Sequence, residues 1–173
     1  LELATETAPW GPRYQEALAG ATSLACFNDW VSELTSTGYL HNHTRMWFAS
    51  VWIFTLKLPW QLGALFMYRH LLDGDPASNT LSWRWVAGLQ TKGKSYLARA
   101  DNIEKYSEGR WHPKQSELAS DAFPVQDDAP LRTPSAALTF QSCPTDASDL
   151  GLLVTSDDLS PEAEPPLHRG VRC

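Results

Sequence analysis

Apolar residues in the first half of the chain recur at the spacing of helices rather than of strands. Segment 25–37 carries four of them at positions i, i+3, i+4 and i+7, which form one face of a helix. The four residues of this stripe are Phe27, Trp30, Val31 and Leu34. Gly38 follows, and glycine readily adopts the left-handed conformation that ends many helices. We therefore predict a helix over 25–37, preceded by a single helical turn over 14–19.

Segment 41–57 gives the strongest helix prediction, because it is apolar on nearly all sides and should be buried on most faces. Its longest apolar run covers 46–56, whereas a membrane span needs about 20 residues. A buried core helix is the better interpretation, and we expect no membrane association. Pro59 ends this helix and suits the first turn of the next, over 60–72. The predicted core stripe of that next helix is Leu62, Leu65, Phe66 and Leu72.

Turn-forming residues interrupt the helical pattern at 73–79, where the sequence DGDPASN predicts a loop. A helical segment follows at 83–88. Asp101 is placed to cap a short helix that runs through Tyr106, with Glu104 at the capping-box position. No alternation of period two precedes residue 148, so this part of the chain is predicted to be all-α.

Composition divides the 173 residues into two parts, which fits one or at most two domains. Residues 1–111 hold all 8 Trp and 10 basic against 10 acidic side chains, so we expect a helical domain there. Residues 112–173 carry the whole net charge of −6 and 8 of the 12 Pro. We expect a Pro-rich acidic tail with little regular structure, either a linker or the start of a truncated further module, with one weak strand over 150–155. The net acidity excludes a polybasic nucleic-acid binder, so any contact with DNA needs a local patch.

The cysteines and histidines give no sign of a metal centre or a disulfide framework. Cys26, Cys143 and Cys173 are odd in number and far apart, which favours a reducing, cytoplasmic location. No signal peptide is recognisable. His41 and His43 are two residues apart and would face different ways on a helix, without a Cys or carboxylate to complete a metal site.

A set of polar residues and tryptophans stands out once the helices are assigned. Asn42 and Arg45 lie one turn apart at the start of the buried helix, and a buried Arg needs a partner. Asp73 and Asp75 offer two carboxylates for it. With tryptophans as walls, such a pair suits a flat ligand with polar edges. The same residues are equally consistent with a structural ion pair beside an ordinary core. The other members of the set are Asn79, Trp60, Trp83 and Trp85.

At these residues the chain resembles the FAD-binding helical domain of the photolyase/cryptochrome flavoproteins. The resemblance covers about 20–88 and rests on TSTGYLHNHTRMWFAS, LPW and DGDPASNTLSWRWVAG, in that order. The intervals from Arg45 to Trp60, from Arg45 to Asp73 and from Asp73 to Asn79 are 15, 28 and 6 residues, which agrees with the family without a gap. An ordered set at this spacing is far more specific than any one of its motifs.

The resemblance implies a role for each matching residue. It implies that FAD is bound by Asn42, Arg45, Asp73, Asp75 and Asn79. It implies a catalytic, lesion-facing set of Asn42, Met46 and Trp85. It implies an electron relay in which Trp83 is proximal and Trp60 is the middle member, with Trp10 as a candidate for the distal one.

The implied function is light-driven electron transfer from reduced flavin to cyclobutane pyrimidine dimers in DNA. Asn79 resembles the repair enzymes, since plant sensors carry Asp there, and Asn42 with Met46 replaces the two His of members that act on (6-4) lesions. The resemblance thus implies a deoxyribodipyrimidine photo-lyase that acts on damaged DNA in the intact protein, as an expected monomer.

Two alternatives stay open. The chain could be a cryptochrome-like blue-light photoreceptor without repair activity, or a degenerate fragment without flavin. Past residue 88 the sequence departs from the family pattern, and the basic cluster there could contact DNA or form a solvated face. That cluster is Lys92, Lys94, Arg99, Lys105 and Arg110.

Overall fold

The fold is described here from a computed structural model, in which residues 8–91 and 94–126 are described. The chain divides into a compact unit of residues 1–130 and a second unit of residues 131–173, and every described residue lies in the first. The strand expected over 150–155 therefore lies outside the described residues. The domain boundary at residue 111 stays a prediction.

Helices form the regular structure of the described residues, and no strand occurs among them, which confirms the all-α prediction. None of the helices described is long and apolar enough to cross a membrane. The α-helices are α1 Gly11–Leu18, α2 Ala25–Thr37, α3 Asn42–Ser50, α4 Trp60–His70, α5 Pro76–Val86 and α6 Ala100–Tyr106. A π-helical turn over Val51–Thr55 continues α3, and a short 3-10 turn spans Gln115–Glu117.

Helix α2 has the predicted bounds and the predicted end. Its apolar stripe is buried, with Phe27, Trp30 and Leu34 fully inaccessible to solvent. Gly38 ends the helix at φ +69°, and its N–H donates to the carbonyl of Leu34. Helix α1 is longer than the single turn that we expected, because Pro12 lies in its first turn, where a missing N–H is tolerated.

The predicted helix over 41–57 is buried on most faces, as expected, but it is not one regular helix. His41 caps it by accepting from the N–H of His43 through Nδ1 at 3.3 Å. At Val51 the backbone widens into the π-helical turn, whose last bond runs from the N–H of Leu56 to the carbonyl of Val51. The backbone leaves the helix at Lys57, where φ is +54°.

The predicted loop over 73–79 is wrong in its second half. Asp75 is the N-cap of α5 and accepts from the N–H of Ser78, and Pro76 opens the helix because its fixed φ suits the first turn. The stripe predicted for the preceding helix is correct at Leu62 and Phe66, which pack against the core while partly exposed, and wrong at Leu72, which is 88% exposed. The face of α4 that is buried consists of Trp60, Gly63, Ala64 and Met67.

Helix α6 was predicted correctly in extent but not in its cap. Arg99 occupies the N-cap position, and Asp101 lies inside the first turn, where it pairs with the Arg99 guanidinium at 3.0 Å. A carboxylate oxygen of Glu104 lies 3.3 Å from Nδ1 of His112, so Glu104 does not close a capping box.

Aromatic side chains fill the centre of the described domain and join α2, α3, α4 and α5. Trp52 is fully buried and packs against Phe48, Phe66 and Trp83 at ring-centroid distances of 6.0, 6.2 and 6.3 Å. Gly63 makes this packing possible, because a Cβ built there would lie 2.3 Å from Cη2 of Trp83 and 2.8 Å from Cε2 of Trp52. The absence of a side chain at Gly63 lets both indoles rest directly on the backbone of α4.

Candidate functional site

A cavity of about 350 Å³ lies between the start of α3, the loop from α4 to α5, and the face of α5. It brings together eight of the nine site residues that the sequence predicts. These are Asn42, Arg45, Met46, Asp73, Asp75, Asn79, Trp83 and Trp85. The ninth, Trp60, is buried on the other side of α4, where it shares a surface groove with Asn79.

Arg45 and Asp73 form the ion pair that the sequence predicts. One terminal nitrogen of the Arg45 guanidinium lies 3.0 and 2.9 Å from the two carboxylate oxygens, and Nε donates to the carbonyl of Leu40 at 2.8 Å. The pair is not buried as expected, since the Arg45 side chain is 25% exposed and that of Asp73 is 60% exposed. An ion pair this open is worth about 0.2–1 kcal/mol, so its main effect is to orient the guanidinium at the cavity edge.

Asp75 presents a fixed carboxylate at the cavity edge. Its Oδ1 accepts from the N–H of Ser78 at 2.7 Å, and this hydrogen bond lowers the pKa of the Asp75 carboxyl, with a further contribution from the Ser78 hydroxyl. The side chain is therefore a charged acceptor at neutral pH. Its position at the start of α5 adds a local reason for the charge, because the helix dipole favours anions there.

Asn79 lies one turn further along α5 and is held by α4. Its amide nitrogen Nδ2 donates to the carbonyl of Ala64 at 2.8 Å. One N–H of this nitrogen is committed to the backbone, so the amide oxygen can accept from an N–H of a ligand and the second N–H can donate to a ligand acceptor.

Two tryptophans supply the flat walls. Trp83 is 1% exposed, and its indole N–H lacks a hydrogen-bond partner among the described residues. Trp85 is 42% exposed, and its ring stacks on Tyr96 at 5.7 Å with an interplanar angle of 27°. The cavity thus has one wall built into the core and one wall exposed to solvent.

Most of the described members of the basic cluster that follows residue 88 have interaction partners within the domain. Arg99 pairs with Asp101 at 3.0 Å, and Arg110 pairs with Glu33 at 2.9 Å. Lys105 lies 5.1 Å from the ring centroid of Tyr106, while Lys92 falls outside the described residues. No group of three or more metal-ligating side chains close enough to hold an ion occurs in the described part of the chain.

Sequence reasoning missed the residues that shape the cavity without carrying its chemistry. Met67, Leu71, Ser82 and Gln90 also line it. Gly63 was missed as well, although two small residues in the middle of an otherwise bulky helix are a signal of close packing.

A sequence model of the FAD-binding domain of DNA photolyase matches residues 13–116, which is more than half of the chain. The chain belongs to this family. FAD is therefore the cofactor of the domain, and the predicted family and cofactor are confirmed.

Relatives with two kinds of names share the photolyase-type domain. The chain is 32% identical over 108 residues to a "Cryptochrome DASH" of Idiomarina loihiensis, covering 62% of this chain and 23% of that protein. It is 34% identical over 117 residues to a "Deoxyribodipyrimidine photo-lyase" of Streptomyces griseus, covering 61% and 25%. It is 30% identical over 111 residues to "Cryptochrome-1" of Arabidopsis thaliana, covering 59% and 16%. The chain thus spans about a quarter or less of the length of these relatives.

The cavity fits part of an FAD molecule. Small-molecule sites commonly enclose about 300–1,000 Å³, and a cavity of about 350 Å³ suits a flat tricyclic ring better than a whole dinucleotide. The carboxylate, amide oxygen and guanidinium at its edge match the mixed donors and acceptors along the polar side of such a ring.

Proposed function

We propose that this chain forms part of the flavin pocket of a photolyase that repairs cyclobutane pyrimidine dimers in DNA with light. The observation that carries the proposal is the convergence of Arg45, Asp73, Asp75 and Asn79 on one cavity whose open wall is Trp85. The polar groups of the first four residues can form hydrogen bonds with the edge of a flavin ring, and the exposed ring of Trp85 can stack on a base.

In this proposal Arg45, Asp73, Asp75 and Asn79 bind FAD, together with Asn42 at the boundary with the substrate. When bound, reduced FAD supplies a light-excited electron that the dimer accepts and later returns. Asn79 would accept from a protonated ring nitrogen through its free oxygen, which stabilises the reduced cofactor. Because ring splitting begins and ends with electron transfer, no side chain has to act as a general base.

The lesion-facing residues are Asn42, Met46 and Trp85. A pyrimidine dimer inside a duplex must be flipped out to reach a cavity, and stacking on an aromatic ring repays part of the unstacking energy. The ring of Trp85 is held in place by Tyr96 and is 42% exposed, so it offers a preorganised face for that contact. Met46 adds an apolar neighbour in the same cavity.

The first test measures repair by the natural protein at its native length, with dimer-containing DNA, in light and in darkness. We expect light-dependent dimer loss, and Trp85→Ala should weaken binding of damaged DNA by about 1–3 kcal/mol, the usual value of one base-stacking contact. Phe123→Ala is a matched control, because Phe123 is an exposed aromatic residue outside the cavity. Bound, photoreducible FAD without any dimer loss would reject repair.

The second test addresses the cofactor site alone. Arg45→Lys keeps the charge but loses the Nε donor to Leu40 that orients the guanidinium beside Asp73, so FAD should bind more weakly. Arg99→Lys is the matched control, since Arg99 also pairs with an aspartate, Asp101, and lies outside the cavity. Equal FAD dissociation constants for the two variants, measured by titration of absorbance, would remove Arg45 from the cofactor site.

A cryptochrome-like photoreceptor is the second candidate. It is favoured by the internal pairing of Arg99 and Arg110, which leaves little basic surface for a phosphate backbone. A photoreceptor should bind FAD and change its affinity for a protein partner in light. Its affinity for DNA should be low and should not distinguish dimer-containing from undamaged strands.

A further inference from the structure

We propose that Trp52 is a second electron donor to Trp83, in a route that continues through Tyr14 to Trp10 and runs beside the family relay residue Trp60. This inference rests on the proposed light-driven chemistry at the cavity. It concerns a residue that the sequence analysis assigned only to the core.

The four rings form a continuous series of contacts. Trp83 and Trp52 have centroids 6.3 Å apart at an interplanar angle of 88°. Trp52 and Tyr14 are 5.9 Å apart at 87°, and Tyr14 and Trp10 are 5.9 Å apart at 87°. Each ring therefore presents its edge to the face of the next, and the series leads from a cavity wall to a partly exposed residue.

The hydrogen bonds of the indole nitrogens favour Trp52 as the residue that refills Trp83. Loss of an electron leaves positive charge on an indole and makes its N–H a stronger donor. The N–H of Trp52 donates to the carbonyl of Pro59 at 3.0 Å, which stabilises that charge. The N–H groups of Trp83 and Trp60 both lack a partner among the described residues. Hydrogen bonding of the indole N–H thus favours Trp52 over Trp60 as the next holder of a positive charge created on Trp83.

Burial gives the route a direction. Trp83 and Trp52 are 1% and 0% exposed, whereas Tyr14 and Trp10 are both in partial contact with solvent. A charge in a dry interior is unfavourable and becomes more stable near water. The oxidised site should therefore migrate outward, away from the cavity.

Tyr14 is chemically suited to hold the oxidised site. Burial raises the pKa of its phenol, and the positive charge of Arg69 acts in the opposite direction. On oxidation a phenol releases its proton, which here passes to water at the partly exposed ring. The resulting tyrosyl radical is neutral, so no positive charge remains that could move back into the interior.

Each residue of the route that loses an electron regains one from the next residue outward. Trp83 loses one electron to the light-excited cofactor and regains one from Trp52. Trp52 regains one from Tyr14, whose hydroxyl proton goes to water. A thiol reductant then returns one electron through Trp10, and Tyr14 takes a proton back from water. The thiol loses that electron and a proton to water and becomes a thiyl radical, and the thiyl radicals of two such turnovers combine to one disulfide.

The experiment uses the natural protein, purified in the dark with FAD bound, and compares Trp52→Phe, Trp60→Phe, the double variant and Trp83→Phe. Phenylalanine keeps an aromatic ring in each place but is not oxidised. Two readouts are recorded: the rate of photoreduction in the presence of thiol, and the tyrosyl radical signal after a light pulse. Trp30→Phe is the matched control, because Trp30 is equally buried and lies outside the route.

We expect Trp52→Phe and Trp60→Phe each to slow photoreduction without abolishing it, and the double variant to lose it to the level of Trp83→Phe. Trp52→Phe and Tyr14→Phe should each abolish the tyrosyl signal, with bound FAD and helix content unchanged, and Trp30→Phe should match the unmodified protein. Complete loss of photoreduction in Trp60→Phe alone would overturn the route, and so would a tyrosyl radical signal that persists in Trp52→Phe. Photoreduction without dimer repair rejects the repair proposal but not the route, whereas absence of bound FAD rejects both.

Discussion

Replacing Gly63 with alanine is the sharpest test of how the two central indoles are packed. The added Cβ would lie 2.3 and 2.6 Å from Cη2 and Cζ3 of Trp83, and 2.8 Å from Cε2 of Trp52. Carbon atoms that are not bonded prefer about 3.5–4.0 Å, so the rings would have to move by roughly 1 Å. Trp52 is fully buried in the close-packed core, whereas Trp83 lines the cavity, so the clash should be relieved mainly by movement of Trp83.

Two effects of opposite sign decide the outcome. Alanine is favoured over glycine in a helix by about 0.8–1.0 kcal/mol. Overpacking of a core costs about 1–3 kcal/mol, and a clash with two indole rings belongs at the upper end. We therefore expect Gly63→Ala to lower the free energy of unfolding by about 2 kcal/mol, and to displace Trp83 from the cavity wall.

Urea unfolding followed by circular dichroism measures the stability, and FAD titration measures the change at the cavity. The pair Ser32→Gly and Ser32→Ala, on the exposed face of α2, calibrates the helix preference in this protein. In a Trp83→Phe background, which lacks Cη2 and Cζ3, Gly63→Ala should cost less by about 1–2 kcal/mol. Stabilisation by Gly63→Ala to the extent seen at Ser32 would refute the packing described for α4.

Three further predictions follow from single contacts. The hydrogen bond from Ser78 lowers the pKa of Asp75 below its ordinary value of 3.8. The carboxylate of Asp75 therefore contributes to stability above pH 3.8, and this contribution is lost as the pH falls through the lowered pKa. Asp75→Asn should remove this part of the acid transition seen by circular dichroism. Burial raises the pKa of Cys26 to about 12, so iodoacetamide at neutral pH should leave it unmodified in the folded protein, and peptide mass spectrometry that finds it alkylated without unfolding would contradict its burial. Asn102→Ala removes the acceptor of the Trp47 indole N–H, a contact of 2.9 Å, and should lower the free energy of unfolding by about 1–3 kcal/mol in urea titration.

Much of the helical layout is visible in the sequence because it depends on local signals. The stripe of α2 and the left-handed Gly38 are local, and both were predicted with the correct bounds. Residue type alone predicted Asp73 or Asp75 as the partner of Arg45, and the structure pairs Arg45 with Asp73. The exposure of this pair was not predicted, because exposure depends on what covers a surface rather than on which residues form the pair.

The errors occur where two local signals compete or where a long-range contact decides. Asp75 and Pro76 are turn formers and also the preferred residues at the start of a helix, and the second property prevails here. Leu72 fits the apolar spacing of α4, but the buried face is set by Gly63, against which Trp83 packs. No periodicity encodes a contact of that kind, so the neighbours of Trp52 could be found only from coordinates.

The widened turn at Val51–Thr55 has a consequence for how this protein can change over evolutionary time. A π-turn accommodates one more residue than the α-helix around it, and each α-helical residue advances the direction of the side chain by about 100°. Deleting one residue there would restore a regular helix, yet it would rotate everything that follows as far as Pro59. A change in the length of this stretch should therefore be tolerated less than a substitution within it, because it would turn the aromatic side chains that follow away from their packing partners.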